Sequence, residues 1–176
     1  EKLPDSSPYK LLSIGELHLH WAFSMMRFGE YVNGAMEINR AFKALERNTQ
    51  KFPDFLPTYK SMGLLHTLIG TVPDNYKWAT KLMGVDGTIE QGIGEMEMVI
   101  KKSEGRAEYQ NLRKETLFLL SFLYINLVND ANAMSRFEKH LSKESGPLMD
   151  FAMASIYKKS TRTDKAIELL SRSTKK

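Results

Sequence analysis

Four of the eleven glycines of this chain fall within residues 84–95, GVDGTIEQGIGE, together with Asp86, Glu90 and Glu95. Backbone amides of a glycine-rich loop can bind phosphate, and carboxylates in a tight loop can bind calcium. Glycines also allow two helices to pack closely. The segment therefore separates three classes of protein: an enzyme that binds phosphate, a metal protein and a helical scaffold.

The spacing of these residues argues against a phosphate or calcium loop. A Walker-type loop needs G-x-x-x-x-G-K-[ST] after a strand, whereas Gly87 and Gly92 are followed by Ile93 and Gly94. A dinucleotide fingerprint would need a third glycine at position 97, and none is present there. Calcium needs side-chain oxygens at alternating positions, which residues 92–94 do not supply. We therefore predict no bound cofactor here.

A helix-to-helix turn explains the segment better. Gly84 can end one helix in a left-handed conformation, Gly87 can close the turn, and Thr88 can cap the next helix. An apolar stripe then follows at helical spacing, formed by Ile89, Ile93, Met96 and Ile100. Gly92 lies beside that stripe, where a missing side chain permits close approach of another helix.

The segment ELHLHW, beginning at Glu16, is a second place where metal chemistry could reside. On a helix, His18 and His20 point about 200° apart and cannot chelate one ion, while Glu16 and His20 supply only two ligands. The sequence places neither His66 nor His140 nearby. We interpret His18 and His20 as surface or interface residues and predict no metal site.

No residue set stands out as catalytic. The chain has no cysteine, which excludes disulfides, thiolate metal sites and a cysteine nucleophile. The serines lack the strand-to-helix glycine context of a nucleophile elbow, and Glu95 and Glu97 diverge on a helix. We predict a non-enzymatic protein.

Composition and charge describe an ordinary globular chain. Its 176 residues are 42% hydrophobic and 26% charged, enough for one buried core or a short repeat array. The net charge of +4 comes from residues 158–176, where seven Lys or Arg accompany two acidic residues. A basic end is not a basic groove, so we predict no nucleic-acid partner. The apolar run over 117–128 is too short to span a membrane.

Helices must position all of these residues. Apolar residues recur with a period of 3.6 between turn-rich breaks, and no stretch alternates as a half-buried strand would. The breaks delimit about nine helices of roughly 10–22 residues. The sequence therefore predicts an all-α fold.

An internal repeat organises the C-terminal half, and its period of about 33 residues is typical of helical-hairpin repeats. Its first unit contributes Leu120, Ser121, Tyr124, Ala133 and Phe137, and its second contributes Met153, Ala154, Tyr157, Ala166 and Leu170. Similar internal spacing recurs in Trp21, Ala22, Met25, Gly34 and Ile38. A further unit has Met62, Gly63 and His66, then an insertion over 71–87, then Gly92 and Met96.

Small residues at these positions allow antiparallel helices to approach closely, while large residues fill the gaps around the contact. With this spacing, the chain resembles the tetratricopeptide repeat over roughly residues 16–174. The resemblance implies antiparallel helical hairpins stacked as a right-handed superhelix, in a single domain over 1–176. The repeat units would lie near 9–51, 54–102, 108–145 and 147–174.

A narrower resemblance concerns the second unit, FPDFLPTYKSMGLLHTLIGTVPDNYKWATKLMGVDGTIEQG. It looks like the exported tetratricopeptide-like proteins of Bacteroidetes-type bacteria and, more distantly, the eukaryotic tetratricopeptide-39 and inclusion-body-clearance proteins. The shared elements are Gly63, Pro73 and the Leu-x-Gly-x-x-Gly turn at 82–87. The resemblance implies a longer parent chain and an exported, periplasmic location, and it brings no established activity.

In tetratricopeptide arrays, the first helix of each pair lines the inner face, which is the usual ligand surface. Carried over to this chain, the resemblance selects candidate partner-binding residues from all four units: Phe23, Arg27, Lys60, Phe118, Phe122, Asn126, Lys158 and Lys159. The two-Lys, two-Asn carboxylate clamp of chaperone-binding members is not reproduced. These residues would therefore contact a different protein or peptide.

Two alternatives stay open from the sequence. The groove could hold a small apolar or amphipathic ligand, because phenylalanines and methionines form an adaptable lining. The same aromatic residues could instead belong to the core between repeats or contact the rest of a longer chain. We expect a non-enzymatic scaffold for protein or peptide contacts, with the small-ligand protein as the alternative.

Overall fold

A computed structural model describes residues 3–128 and 131–173, and over these residues the chain is all-α with no strand. The described part contains nine α-helices: α1 (Pro8–Arg27), α2 (Tyr31–Lys51), α3 (Leu56–Gly70), α4 (Lys77–Leu82), α5 (Ile89–Ser103), α6 (Gln110–Leu127), α7 (Ala131–Leu141), α8 (Pro147–Lys159) and α9 (Thr163–Ser173). Short 3-10 turns precede α4 at Asp74–Tyr76 and α6 at Ala107–Tyr109. The predicted all-α fold with about nine helices is confirmed, and the right-handed superhelix stays a prediction.

The chain divides into two compact units, Glu1–Lys102 and Ser103–Lys176. We call them unit 1 and unit 2. Two of the four predicted repeat units fall within each of them.

Unit 1 is built on the pairing of α1 with α2, and α3 packs against both. Pro8 begins α1, where its fixed φ suits a helix and its missing N–H removes no intrahelical hydrogen bond. Its core contains buried apolar side chains from all three helices, including Leu19, Ala22, Leu45 and Leu65. The buried Asn48 amide donates to the Pro8 carbonyl at 2.9 Å and to Thr58 Oγ1 at 2.7 Å, so one polar residue joins the starts of α1 and α3 to α2.

Glycine contacts bring α3 and α5 together. A Cβ added to Gly63 would lie 2.7 Å from the Gly92 carbonyl oxygen, and one added to Gly92 would overlap Gly63 and Thr67. The predicted close approach at Gly92 is therefore confirmed. Gly84 has a φ of +67°, and the backbone N–H of Gln91 donates to Thr88 Oγ1 at 3.0 Å, so the predicted helix end and N-cap are confirmed as well.

The predicted insertion, residues 71–87, forms the 3-10 turn, α4 and the link to α5. Trp78 and Leu82 are exposed on it, whereas Val85 is buried in the core of unit 1. The Asn39 amide of α2 donates to the Met83 carbonyl at 3.0 Å. The C-terminal end of the inserted segment thus contacts α2 and packs into the core of unit 1.

Unit 2 contains α6 to α9, with α8 packed against both α6 and α9. Tyr124 stacks on Phe137 with ring centroids 4.8 Å apart, which joins α6 to α7. A buried ion pair between Arg113 Nε and Glu144 Oε1, at 2.7 Å, links the start of α6 to the turn after α7. Gly146 has a φ of +120°, which favours glycine, and Pro147 begins α8 directly after it.

Candidate functional site

A groove of about 550 Å³ lies between α6 and α8 in unit 2. Two sets of four residues line it, each spaced i, i+4, i+7 and i+8 along its helix: Phe118, Phe122, Ile125 and Asn126 from α6, and Phe151, Ser155, Lys158 and Lys159 from α8. Each member of the first set lies one repeat length before its counterpart in the second. The groove is therefore formed by residues of α6 and α8 that have the same spacing along the two helices.

Helical spacing explains this arrangement. Residues spaced i, i+4, i+7 and i+8 share one face of a helix, so each of the two helices, α6 and α8, contributes one face to the groove. The buried Ser121 and Ala152 form the floor, and their small side chains leave space above them. The structure brings together the predicted residues Phe118, Phe122, Asn126, Lys158 and Lys159.

The groove combines exposed aromatic surface with positive charge. Phe122 is 64% exposed and Phe151 is 56% exposed, which is unusual for side chains of this size. Lys158 and Lys159 are exposed at one end, and no acidic residue is among those that line the groove. An apolar group and a carboxylate of a single ligand could both be accommodated.

The other polar groups of the groove are used within their own helices. Ser121 Oγ donates to the Phe118 carbonyl at 2.6 Å, and Ser155 Oγ donates to the Phe151 carbonyl at 2.9 Å. The Asn126 amide donates to the Phe122 carbonyl at 2.7 Å, which leaves its oxygen to accept. The two lysine ammonium groups are thus the charged donors that the groove offers to a ligand.

The three predicted partner-binding residues of unit 1 occupy different surroundings. Arg27 is exposed at the last residue of α1. Lys60 is buried, with its Nζ 3.0 Å from Glu16 Oε1, and therefore forms an internal contact between α3 and α1. Phe23 lines a separate cavity.

That cavity, of about 330 Å³, is lined by Phe23 and Met26 of α1, by side chains of α2 and α3, and by the inserted segment. Six residues of the lining come from the insertion: Thr71, Val72, Pro73, Thr80, Met83 and Val85. Sequence reasoning singled out the insertion but did not predict this cavity. The insertion is mostly polar, and its apolar residues, such as Val72 and Met83, are the sequence signal that it also packs against the helices of unit 1.

Two histidine–carboxylate pairs join helices of unit 1. His18 Nδ1 lies 2.5 Å from Glu37 Oε2, and His66 Nδ1 lies 2.7 Å from Glu95 Oε2. The hydrogen bond from His18 is the main cause that lowers the pKa of the Glu37 carboxyl; burial opposes the shift, and the charge of Arg40 adds to it. Neither pair opens into the cavity or the groove. Both pairs therefore act as helix-to-helix contacts.

Metal-binding and membrane-spanning features are absent from residues 3–128 and 131–173. In these ranges, no group of three or more His, Asp or Glu side chains is arranged to hold a metal ion. No helix within the same ranges has the length and hydropathy needed to cross a bilayer.

No protein-family model, curated protein or solved structure matches this chain. The tetratricopeptide resemblance therefore rests on the residue spacing in the sequence alone.

Proposed function

We propose that this chain is a non-enzymatic helical-repeat module that binds a peptide segment of a partner protein in the groove of unit 2. The segment would bear an apolar anchor and a carboxylate. The observation that carries this proposal is the juxtaposition of Phe118, Phe122 and Phe151 with Lys158 and Lys159 in one open groove.

Charge complementarity favours an acidic partner. Two neighbouring ammonium groups without an acidic neighbour in the lining attract a carboxylate and repel a basic peptide. The exposed faces of Phe122 and Phe151 favour an apolar side chain next to that carboxylate, because covering them removes apolar surface from water. A peptide with both features would bind more tightly, because its carboxylate would contact the lysines and its apolar side chain would contact the phenylalanine rings.

The size of the groove suits a short extended peptide. From Phe118 to Asn126, the α6 wall is about 12 Å long at the helical rise per residue. An extended chain covers that length with roughly three or four residues. The groove would thus recognise a short motif rather than a whole domain surface.

The chemistry of the lining supports binding rather than catalysis. No histidine or acidic residue lines the groove to activate a nucleophile. Both serine hydroxyls donate to carbonyls of their own helix.

The proposal also includes an exported, periplasmic setting in a bacterial cell. It is supported by the resemblance of the second repeat unit to exported bacterial proteins, and the absence of cysteine is compatible with an oxidising compartment. Fractionation of the native protein with periplasmic and cytoplasmic markers tests this part. Recovery with the cytoplasmic markers would refute the periplasmic setting and leave the groove proposal standing.

Selection from a displayed random peptide library tests the groove. We expect the enriched peptides to carry Asp, Glu or a free C-terminal carboxylate close to Phe, Leu, Met or Trp. Binding of a synthetic enriched peptide, measured by calorimetry, should weaken by about tenfold or more in Phe122→Ala and in Lys158→Glu. Raising the salt concentration should weaken peptide binding more in the wild type than in Lys158→Glu.

Lys165→Glu is the matched control, because Lys165 is exposed on α9 in the same unit and does not line the groove. It makes the same change in net charge and should leave the affinity unchanged. Enrichment of basic peptides, or equal weakening by Lys165→Glu and Lys158→Glu, would show that the groove is not the site.

A further inference from the structure

We infer that unit 1 contains a second binding site, a cavity for one small, uncharged, hydrocarbon-rich molecule, whose outer wall is formed by the inserted segment 71–87. This inference is independent of the peptide groove in unit 2. It rests on the lining, polarity and construction of the 330 Å³ cavity.

The cavity lies where three helices of unit 1 meet the insertion. Phe23 and Met26 come from the last turns of α1, Ala35 from the second turn of α2, and Leu68 from the end of α3. Thr80 and Met83 reach it from α4 and the residue after it. Every side chain in the lining is uncharged.

Polarity defines the class of ligand. Thr71 and Thr80 carry the only side-chain oxygen or nitrogen atoms among the residues that line the cavity. Both hydroxyl protons are already donated, from Thr71 to the Leu68 carbonyl at 2.7 Å and from Thr80 to the Lys77 carbonyl at 2.9 Å. A ligand carbonyl or carboxylate would find no unused side-chain donor and would lose its hydrogen bonds to water. The favoured ligand is therefore aromatic or aliphatic with few polar atoms.

Size and adaptability restrict the ligand further. At about 330 Å³ the cavity is at the small end of the range of ligand pockets. It is too small for a helix, whose diameter with side chains is about 10 Å or more. Met26 and Met83 can adjust to different shapes because their side chains are unbranched and flexible. One compact molecule, such as a naphthalene-sized aromatic compound, fits these limits.

The insertion itself supplies the reason for the site. Trp78 and Leu82 lie on the exposed side of the segment, whereas Thr80 and Met83 line the cavity. The hydrogen bond from the Asn39 amide to the Met83 carbonyl holds this wall against α2. A plain helical hairpin without the insertion would leave the ends of α1 and α3 facing solvent. The inserted segment thus supplies one wall of a partly open apolar cavity.

Titration of the full chain with N-phenyl-1-naphthylamine, a neutral apolar fluorophore, tests the inference. We expect saturable fluorescence enhancement with one molecule bound per chain at this site, and nuclear Overhauser contacts from the probe to the Met26 and Met83 methyl groups. Ala35→Phe, which fills the cavity from α2, should weaken binding by about tenfold or more. Thr80→Phe fills it from α4 and is the second variant if Ala35→Phe does not fold.

Two controls separate the cavity from other apolar surfaces. Leu82→Ser removes an exposed apolar side chain from the same segment without changing the lining, and Phe122→Ala alters the groove of unit 2. Both should bind the probe as the wild type does. Three results would overturn the inference. The first is that the probe contacts only methyl groups of other methionines, and the second is unchanged binding in folded Ala35→Phe and Thr80→Phe variants. The third is loss of binding in either control. The peptide-groove proposal would stand in each of these cases except the loss in Phe122→Ala, which would assign the groove to small apolar ligands instead.

Discussion

The groove of unit 2 and the cavity of unit 1 are both lined in part by phenylalanine, but only the groove carries charged side chains. The groove of unit 2 is open, with Lys158 and Lys159 at one end, whereas the cavity of unit 1 is lined only by uncharged residues. Both are lined by side chains from more than one helix. The groove therefore offers charged donors to a ligand, whereas the cavity beside the inserted segment offers apolar surface and no charge.

The two units also hold their helices together differently. In unit 1, α3 and α5 meet through Gly63 and Gly92, where backbone contacts backbone. In unit 2, α6 and α7 are joined through the stacked rings of Tyr124 and Phe137. Unit 1 should therefore tolerate added volume at its helix contact less well than unit 2.

The largest expected effect is that of Gly92→Val. The new side chain would overlap the Gly63 carbonyl and Thr67, and neither can move without displacing α3. We expect a loss of about 3–5 kcal/mol in the free energy of unfolding of unit 1. Urea unfolding followed by tryptophan fluorescence measures it, because both tryptophans, Trp21 and Trp78, lie in unit 1.

Gly94→Ala is the control on the same helix. Nothing lies within 4 Å of a Cβ added there, so alanine should stabilise α5 by up to about 1 kcal/mol through its higher helix propensity. If Gly92→Val and Gly94→Ala unfold at the same urea concentration, the close contact between α3 and α5 is wrong.

The second effect concerns unit 2, where Glu144→Ala removes the carboxylate that the buried Arg113 guanidinium contacts. We expect a loss of about 3 kcal/mol, because removing one member of a buried pair leaves the desolvation penalty of the other without that compensation. Far-UV circular dichroism during urea unfolding measures it, and tryptophan fluorescence should report a smaller change. Glu104→Ala breaks the exposed pair with Lys143 in the same unit and should change the transition much less.

A smaller effect is expected for Thr88→Ala at the start of α5. The substitution removes the hydroxyl that accepts from the backbone N–H of Gln91, and the loss of an N-cap costs about 1 kcal/mol. Thr88→Ser keeps the hydroxyl and should unfold close to the wild type. Equal destabilisation by alanine and serine would mean that packing, rather than capping, determines the effect.

The smallest effect is the pH dependence carried by Glu37. Its pKa is lowered from the ordinary value of 4.5, chiefly by the hydrogen bond from His18. A lowered folded-state pKa contributes stability above the unfolded-state value, and that contribution is lost as the pH falls through the folded-state value. The wild type should therefore lose stability below pH 4.5, and Glu37→Gln should show less of this loss.

Tryptophan-detected urea unfolding between neutral and acidic pH measures this difference. The two proteins should differ most at neutral pH, where the wild type is more stable, and converge on acidification. Parallel pH profiles would show that the pair with His18 does not contribute.

Much of unit 2 was predictable because the residue spacing in its sequence is regular. A shift by one repeat length places equivalent positions on neighbouring helices, so Phe118 and Phe122 could be assigned to one surface with Lys158. The helix stop at Gly146 followed by Pro147 was predictable because local backbone chemistry determines it.

Unit 1 was less predictable because the residue spacing in its sequence is irregular. Trp21, aligned with the buried Leu120 and Met153, is 55% exposed, so the first repeat matches at its small residues and not at this position. The sequence did not indicate that the buried Lys60 forms an ion pair with Glu16, and its role in partner binding stays a prediction. A helical pattern specifies which residues share a face, but not which neighbour covers that face.

The sequence by itself determined the helices, their ends and the contacts at small residues. Each depends on local backbone preferences or on the helical period, as Thr88, Gly84 and Gly92 show. Only the tertiary structure decided that Phe23, Ala35, Leu68 and Thr80 line one cavity. These residues come from four separate segments, and the space between them exists because the insertion closes against the ends of helices that are distant in sequence.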